Sequence, residues 1–433
     1  MKMIFRTVAF IAFLISNLCV YGQDTINLSL DSAIHYASLK NKTLINARYN
    51  SVKSHEKVRE TAAAGLPQAE AGVSYNNYLG AEAEIHLSES APPAVIKFNP
   101  TSNFTFTANQ LVFSGNYIVG LQIAKLVNQS SELSYQKTEL EVKEQVTRAY
   151  FLVLVSERTV KIMEANKMNT QLIFEKTNNL AKAGMIEQTD ADKLSVMVIS
   201  IENAQKAAER QLEMAYNMLR LQLGLDANSK ISLSTSLDEV SKQDKFAGTL
   251  SGSFNPDNNF DYKLMTLQEQ TSKKQIALER ASYLPSVVGF YSYTEKLLKP
   301  KFDMTPKNVV GLNLKIPVFS SGIRRAKVSQ SKINLLMTET SKDLLSQQLE
   351  IQEKQLRFNL NNLLEQYNNQ KMNVEVAKEI YKKMSLKYEQ GVVSSLELTS
   401  ANNNYLSAES NFTNILFQLL DAEIALRKLN GNI

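Results

Sequence analysis

The residues able to do chemistry are few and poorly placed for it. The 433-residue sequence has three histidines, His35, His55 and His86, and one cysteine, Cys19. No two histidines stand at a metal-binding spacing and no HExxH occurs, so the expectation is three surface residues. There is no GxSxG turn to present a nucleophilic serine and no glycine-rich phosphate loop. Asp190 and Asp192 form a close carboxylate pair, as acid/base chemistry would need. They fall where a helix begins, however, and its dipole favours negative charge there without any catalytic role. The expectation is a protein that is not an enzyme, with no catalytic residues, no cofactor and no metal.

The elements that hold these residues are mostly helices. Gly 15 and Pro 9 are low counts for 433 residues, while Leu, Ala, Lys, Glu, Gln and Asn are plentiful. Lys2 and Arg6, the apolar run Val8 to Ile15, and Val20-Tyr21-Gly22 before Gln23 read as a signal peptide over residues 1–22. Leu18 stands where lipidation of Cys19 would want a small residue. The mature chain then lacks cysteine, and thiol chemistry, disulfides and Cys-based metal sites go with it. Beyond the leader no apolar stretch is long enough for a transmembrane helix, so entry into a membrane requires a barrel. The net charge of +5 is spread along the chain and leaves no electrostatic footprint for nucleic acid.

An internal repeat organises the rest. Gly115 and Gly322, Gly184 and Gly391, and Gly224 and Gly431 are each 207 residues apart. Their neighbours agree: Val112-Phe113-Ser114 with Val318-Phe319-Ser320, and Leu219-Arg220 with Leu426-Arg427. Each copy opens with a helix, Leu28 to about Ala64 and Tyr262 to about Ser282, stopped by Pro67 or Pro285. Alternation follows: Ala71, Val73 and Tyr75, then Phe104 and Phe106, predict a strand pair over about 69–113. Val310, Leu312, Leu314 and Ile316 give the clearest strand of a second pair over about 287–319, whereas Val287 to Tyr293 alternates poorly. Polar, Pro-containing loops, Gly80 to Ser102 and Glu295 to Lys307, join the strands of each pair. Heptads at Leu126, Leu133 and Leu140 and at Leu349, Leu356 and Leu363 then open long helical hairpins. These turn near residues 184 and 391, and their returning helices carry a 4-3 apolar pattern. A helix from Tyr117 to Ala183 would be roughly 100 Å long and must run along a rod or tube. The organisation is therefore 23–225 as repeat 1, 226–260 as an aperiodic connector, and 261–433 as repeat 2.

Leu28-Ser29-Leu30-Asp31-Ser32-Ala33-Ile34, Leu66-Pro67-Gln68, Tyr283-Leu284-Pro285-Ser286, Pro317 to Ala326 and the two glycine tips together resemble the TolC-like outer-membrane efflux protein family. The resemblance spans almost the whole mature chain. It implies a mainly α homotrimer with a small β part, in which four strands per chain build a twelve-stranded barrel continued by a helical coiled-coil tube in the periplasm. It also implies partners: outer-membrane lipid, an inner-membrane pump, and a periplasmic adaptor that docks on the hairpin tips Ala183-Gly184-Met185 and Gln390-Gly391-Val392. Glycine at such a tip is also what a tight helix-to-helix turn requires. Glu397 and Asp190 match acidic residues of the family's periplasmic gate, and Tyr388 matches a tyrosine of its closing network. Ser400 and Val393 depart from that pattern, one replacing a second acidic ring and the other a basic latch. Glu397 reads equally as a helix-start carboxylate, and Asp190, with Thr189, as the start of its own helix. Tyr75, Tyr78, Tyr291 and Tyr293 are candidates for an interfacial aromatic girdle or simply good strand residues.

The implied function is an exit duct for small molecules in the outer membrane of a Gram-negative cell. A type I protein-secretion duct would look the same in these residues. A soluble periplasmic coiled-coil protein, structural or itself an adaptor, is the alternative of a different class. A structural rod would not need the strands, and an adaptor should carry one hairpin and a Gly-rich lipoyl-like domain.

Overall fold

The computed structural model describes residues 25–85, 94–240, 243–298 and 305–432. The signal-peptide residues, His86 and parts of both predicted polar loops lie outside them. In chain order the first half holds β1 (Ile26–Leu28), α1 (Leu30–Lys40), α2 (Lys42–Ala63), β2 (Gln68–Asn76), β3 (Glu82–Ile85), β4 (Ala94–Lys97), β5 (Thr101–Ser114), α3 (Gly115–Lys182) and α4 (Gln188–Leu223). It is followed by β6 (Ile231–Leu233), α5 (Leu237–Val240), α6 (Gln243–Ser251), α7 (Phe260–Ala281), β7 (Ser286–Lys296), β8 (Asn308–Lys315), α8 (Ile323–Glu389) and α9 (Ser395–Leu429). Helix dominates, and α3 and α8 are uninterrupted over 68 and 67 residues.

Two compact units result: one from Tyr49–Ser134 and Asp261–Leu345, the other from Met1–Arg48, Tyr135–Phe260 and Ser346–Ile433. The first carries a four-stranded antiparallel sheet in the order β2-β5-β7-β8, so β2 and β8 are its two edges. One face carries the pairs Val73↔Phe104 and Tyr291↔Val310, with Phe106↔Tyr293 between them at the β5-β7 junction. Val73, Tyr75, Val310, Leu312 and Leu314 are exposed there.

Two expectations change in this unit, and the expected strand with the poorest alternation is formed in full. Val287 to Tyr293, with its poor alternation, lies in the full 11-residue strand β7, paired on both sides by β5 and β8. Central pairing supplies the ladder that its pattern did not advertise. Ile316 falls outside β8, which ends at Lys315; Pro317 follows two residues later and has no N–H to extend a ladder. The predicted polar loop after Gly80 contains the hairpin β3-β4, with Glu82 Oε1 2.9 Å from Lys97 Nζ.

The second unit is mainly helical, with one large core and a smaller one towards the hairpin tips. Val146, Tyr150, Leu219, Leu223, Leu360, Leu416, Leu419, Leu420 and Leu426 are fully buried in the large one. Two features went unread in the sequence. The predicted helix from Leu28 is preceded by β1, which pairs in parallel with β6 from the aperiodic connector. It is also divided at Asn41. The Asn41 carboxamide oxygen accepts from the amides of Thr43 (2.9 Å) and Leu44 (3.1 Å), capping α2. Its Nδ2 donates to the Gln222 carbonyl at 2.7 Å, near the end of α4. Asn259 repeats the motion at the other hairpin, donating from Nδ2 to the Leu429 carbonyl at 3.0 Å.

Candidate functional site: the hairpin tips

The predicted site residues all belong to the helical unit, and both tips are built alike. At the end of α3 the amide of Gly184 donates to the Ala181 carbonyl (2.9 Å) and that of Met185 to Leu180 (3.0 Å). At the end of α8 the amide of Gly391 donates to Tyr388 (3.0 Å) and that of Val392 to Lys387 (2.9 Å). These are Schellman turns, with Ala183 and Gln390 as the last half-helical residues. Gly184 and Gly391 both take φ of +71°, the left-handed conformation that glycine adopts without a Cβ penalty. Nothing lies within 4 Å of where a Cβ would stand on either. The backbone turn, rather than crowding, demands glycine there. The turns leave Met185 72% and Val392 66% exposed, so each tip presents one apolar side chain to its surroundings.

The returning helices start differently. Ser394 caps α9 in a reciprocal capping box: its Oγ accepts from the Glu397 amide (3.3 Å), and Glu397 Oε2 accepts from the Ser394 amide (2.8 Å). Those bonds from the Ser394 amide and hydroxyl hold the Glu397 carboxyl below the usual carboxylate range. The cap of α4 is Glu187, which makes no side-chain capping bond. Asp190 therefore does not cap its own helix. It sits in the first turn, and its Oδ1 accepts from the buried Ser395 hydroxyl of the other hairpin at 2.7 Å.

Tyr388 lies one turn further in. Its hydroxyl is 2.9 Å from Thr177 Oγ1, which already donates to the Ile173 carbonyl at 2.8 Å. A hydroxyl has one proton, so Tyr388 is the donor. The Tyr388 ring packs on a small core of Ile173, Leu194, Met197, Ile201, Tyr381 and Leu398. The structure thus ties Asp190 and Tyr388 to the opposite hairpin, and no hydrogen bond among the described residues joins Glu397 to either. Sequence reading missed their partners, Ser395 and Thr177, which carry no charge and have no signature of their own.

Also missed was a polar seam along α9. Ser395, Asn402, Glu409 and Glu423 recur at one heptad position with Leu416, and all are buried. Asn402 Oδ1 accepts from Asn166 Nδ2 at 3.0 Å, and Glu409 lies 3.5 Å from Arg158. Tyr405 donates to Glu409 at 3.2 Å, and burial, then the Glu409 charge, pushes its phenol up to about 12. Polar residues on a buried heptad seam are a signal that the apolar pattern obscured.

No group of three or more His, Cys, Asp or Glu residues able to hold a metal occurs among the described residues. His35 and His55 are exposed. No described helix is long and apolar enough to cross a membrane.

A small antiparallel sheet with two free edges and a set of long hairpins is the fold of outer-membrane channels, and solved structures match it along nearly the whole chain. CusC covers 96% of this chain and 96% of its own, at 15% identity and a TM-score of 0.73. The Campylobacter jejuni CmeC outer membrane channel covers 93% and 85%, at 14% identity and a TM-score of 0.73. Outer membrane protein TolC of Vibrio cholerae is 19% identical over 384 residues, 87% of this chain and 85% of that protein. The outer membrane efflux protein family matches residues 257–432. Over residues 257–432 the chain is thus similar to outer membrane efflux proteins, and along nearly its whole length it has the fold of these TolC-like channels. The proteins it matches are outer-membrane proteins and channels.

Proposed function

We propose that the chain is one protomer of a homotrimeric exit duct in a tripartite efflux system. It passes small molecules from an inner-membrane pump and periplasmic adaptor to the exterior and changes none of them chemically. The observation that carries this reading is the sheet: four strands, two unpaired edges and one exposed apolar face. In lipid each unsatisfied backbone group costs several kcal/mol, so such a sheet is tolerable only when copies join edge to edge into a closed barrel. Three copies make twelve strands. Strands β2, β5 and β7, at 9, 14 and 11 residues, are of the length that crosses an outer membrane when tilted, and β8 is one residue shorter than β2. The two repeats, 23–225 and 261–433, and the connector at 226–260 are part of the same proposal. A soluble coiled-coil rod would have no use for this sheet.

The tips are the adaptor's docking points, where Ala183, Gly184 and Met185 stand beside Gln390, Gly391 and Val392. Glu397, Asp190 and Tyr388 form the periplasmic gate. A threefold axis sets three Glu397 carboxylates around an aqueous lumen, where acidic rings favour cations. Fractionation and native mass spectrometry test the assembly: a detergent-extracted trimer in the outer-membrane fraction is expected, and a soluble monomer rejects the duct. In planar bilayers the channel should be cation-selective and blocked by trivalent cations from the periplasmic side. If Glu397→Gln leaves both unchanged, the carboxylate only begins its helix.

A further inference from the structure

The two strand pairs of the sheet are superimposable in register, and that gives a template for the missing contact between copies. Val73 pairs with Phe104 in the first pair, as Tyr291, 218 residues later, pairs with Val310, 206 residues later. Ala71↔Phe106 corresponds in the same way to Gly289↔Leu312, and Gln68↔Asn109 to Ser286↔Lys315. So β7 is the counterpart of β2, and β8 of β5. Within the chain the pairs are joined by β5 on β7, with Phe106↔Tyr293, Thr107↔Ser292 and Ala108↔Tyr291.

We infer that β8 of one copy pairs antiparallel with β2 of the next in the register this junction dictates: Leu312 opposite Tyr75, Asn313 opposite Ser74, and Leu314 opposite Val73. The inference rests on the trimeric duct proposed above and deepens it by naming the seam. Three independent features agree with it. The side chains brought opposite each other are apolar with apolar on one face, where all four are exposed in the isolated chain, and polar with polar on the other. A slip of one residue would reverse every side chain on one strand and set apolar against polar. On the polar face Lys315 falls opposite Gly72 and so diagonal to Glu70, within reach of a long side chain. Neither charge forms an ion pair among the described residues. Finally, β5 carries a bulge between Leu111 and Phe113, which makes Val318 the counterpart of the bulged Val112. Val318 is 90% exposed. Pro317, just before it, ends the ladder on the edge where proline is tolerated.

Disulfide trapping tests the register, because Cys19, the one cysteine of the sequence, belongs to the predicted leader. Directly opposed residues have Cα atoms about 4.5–5.5 Å apart, within disulfide reach, and diagonal ones about 7–8 Å, outside it. The full chain carrying Ser74→Cys and Asn313→Cys should, on oxidation of the membrane-embedded protein, run as covalent dimers and trimers that reduction returns to monomers. Ser74→Cys with Gly311→Cys or with Lys315→Cys should lose that cross-linking. Tyr75→Cys with Leu312→Cys on the opposite face is the second pair, expected to link in the same way. A native trimer that links preferentially through the displaced pairs, or through neither opposed pair, overturns the register and leaves the duct standing. Protein that is monomeric in the outer membrane before oxidation overturns both.

Discussion

The bases and the tips of the two hairpins use the same residue in the same conformation for different reasons. Gly224 and Gly431 end the hairpins at φ of +72° and +75°, and Gly184 and Gly391 turn them at +71°. At the bases a Cβ would stand 2.3 Å from the Lys40 carbonyl oxygen at Gly224 and 2.8 Å from that of Asn258 at Gly431. At the tips it would meet nothing within 4 Å. Identical torsions therefore conceal a packing joint at one end and a free turn at the other. The bases anchor the helical unit, and the tips are left open for something else to touch.

The largest effect should come from filling that joint. Gly224→Ala adds a left-handed penalty of about 1–2 kcal/mol and forces a backbone carbonyl to move, about 3 kcal/mol in all. Thermal unfolding of the detergent-solubilised protein should show it, with Gly431→Ala somewhat milder because its contact is longer. Equal melting temperatures for Gly224→Ala and Gly184→Ala would erase the distinction between base and tip.

Next come the asparagines that clamp the bases. Asn41→Ala removes the cap of α2 and leaves the Gln222 carbonyl without its side-chain donor, a loss of about 2 kcal/mol. Asn259→Ala should cost less than that at the Leu429 carbonyl. Asn41→Asp, which keeps the cap but not the donor, should recover only part of the stability. The same unfolding experiment reads all three.

Why the joint escaped the sequence is physical. Asparagine is tolerated in a helical pattern, so the periodicity from Leu28 to Ala64 runs through Asn41 without a visible break. Its second partner, Gln222, is 181 residues away. β1 and β6, at three residues each, are too short to show alternation and exist only because each finds the other. By contrast the tip glycines, the prolines that stop the first helices and the alternation of Val310, Leu312 and Leu314 are local signals, and each was legible. At the candidate site the tip residues could be read from the repeat, whereas the partners of Asp190 and Tyr388 lie on another hairpin.

At the tips, smaller and functional effects are expected. Gly184→Ala and Gly391→Ala should each cost only the torsional penalty, about 1 kcal/mol. Bulkier tip substitutions at both, such as Gly184→Trp with Gly391→Trp, should leave the amount of assembled protein near normal while lowering efflux in cells. Normal efflux with normal assembly would remove the tips from any docking role.

The smallest effect separates the two tips from each other and turns on Glu397. Its carboxyl is lowered mainly by the Ser394 amide and then by the Ser394 hydroxyl. A lowered folded-state value means that the capping contribution is complete above the unfolded value, about 4.3, and is lost as pH falls through the folded one. Hydrogen exchange of a peptide spanning the start of α9, corrected for intrinsic rates, should therefore show protection falling only below about pH 4.3. Glu397→Gln should abolish that pH dependence, because glutamine keeps an acceptor and has nothing to titrate. The start of α4 is the internal reference: its cap, Glu187, makes no side-chain capping bond, so the same capping titration should be missing there. If the proposed trimeric duct sets three Glu397 carboxylates around one axis, a second force opposes the cap, because the three raise each other's proton affinity. If protection at α9 is lost above about pH 4.3 in the trimer, crowding outweighs the cap and Glu397 faces its copies across a narrow lumen. If it is lost below, the Ser394 cap governs the carboxylate, and the constriction must be sought nearer Tyr388.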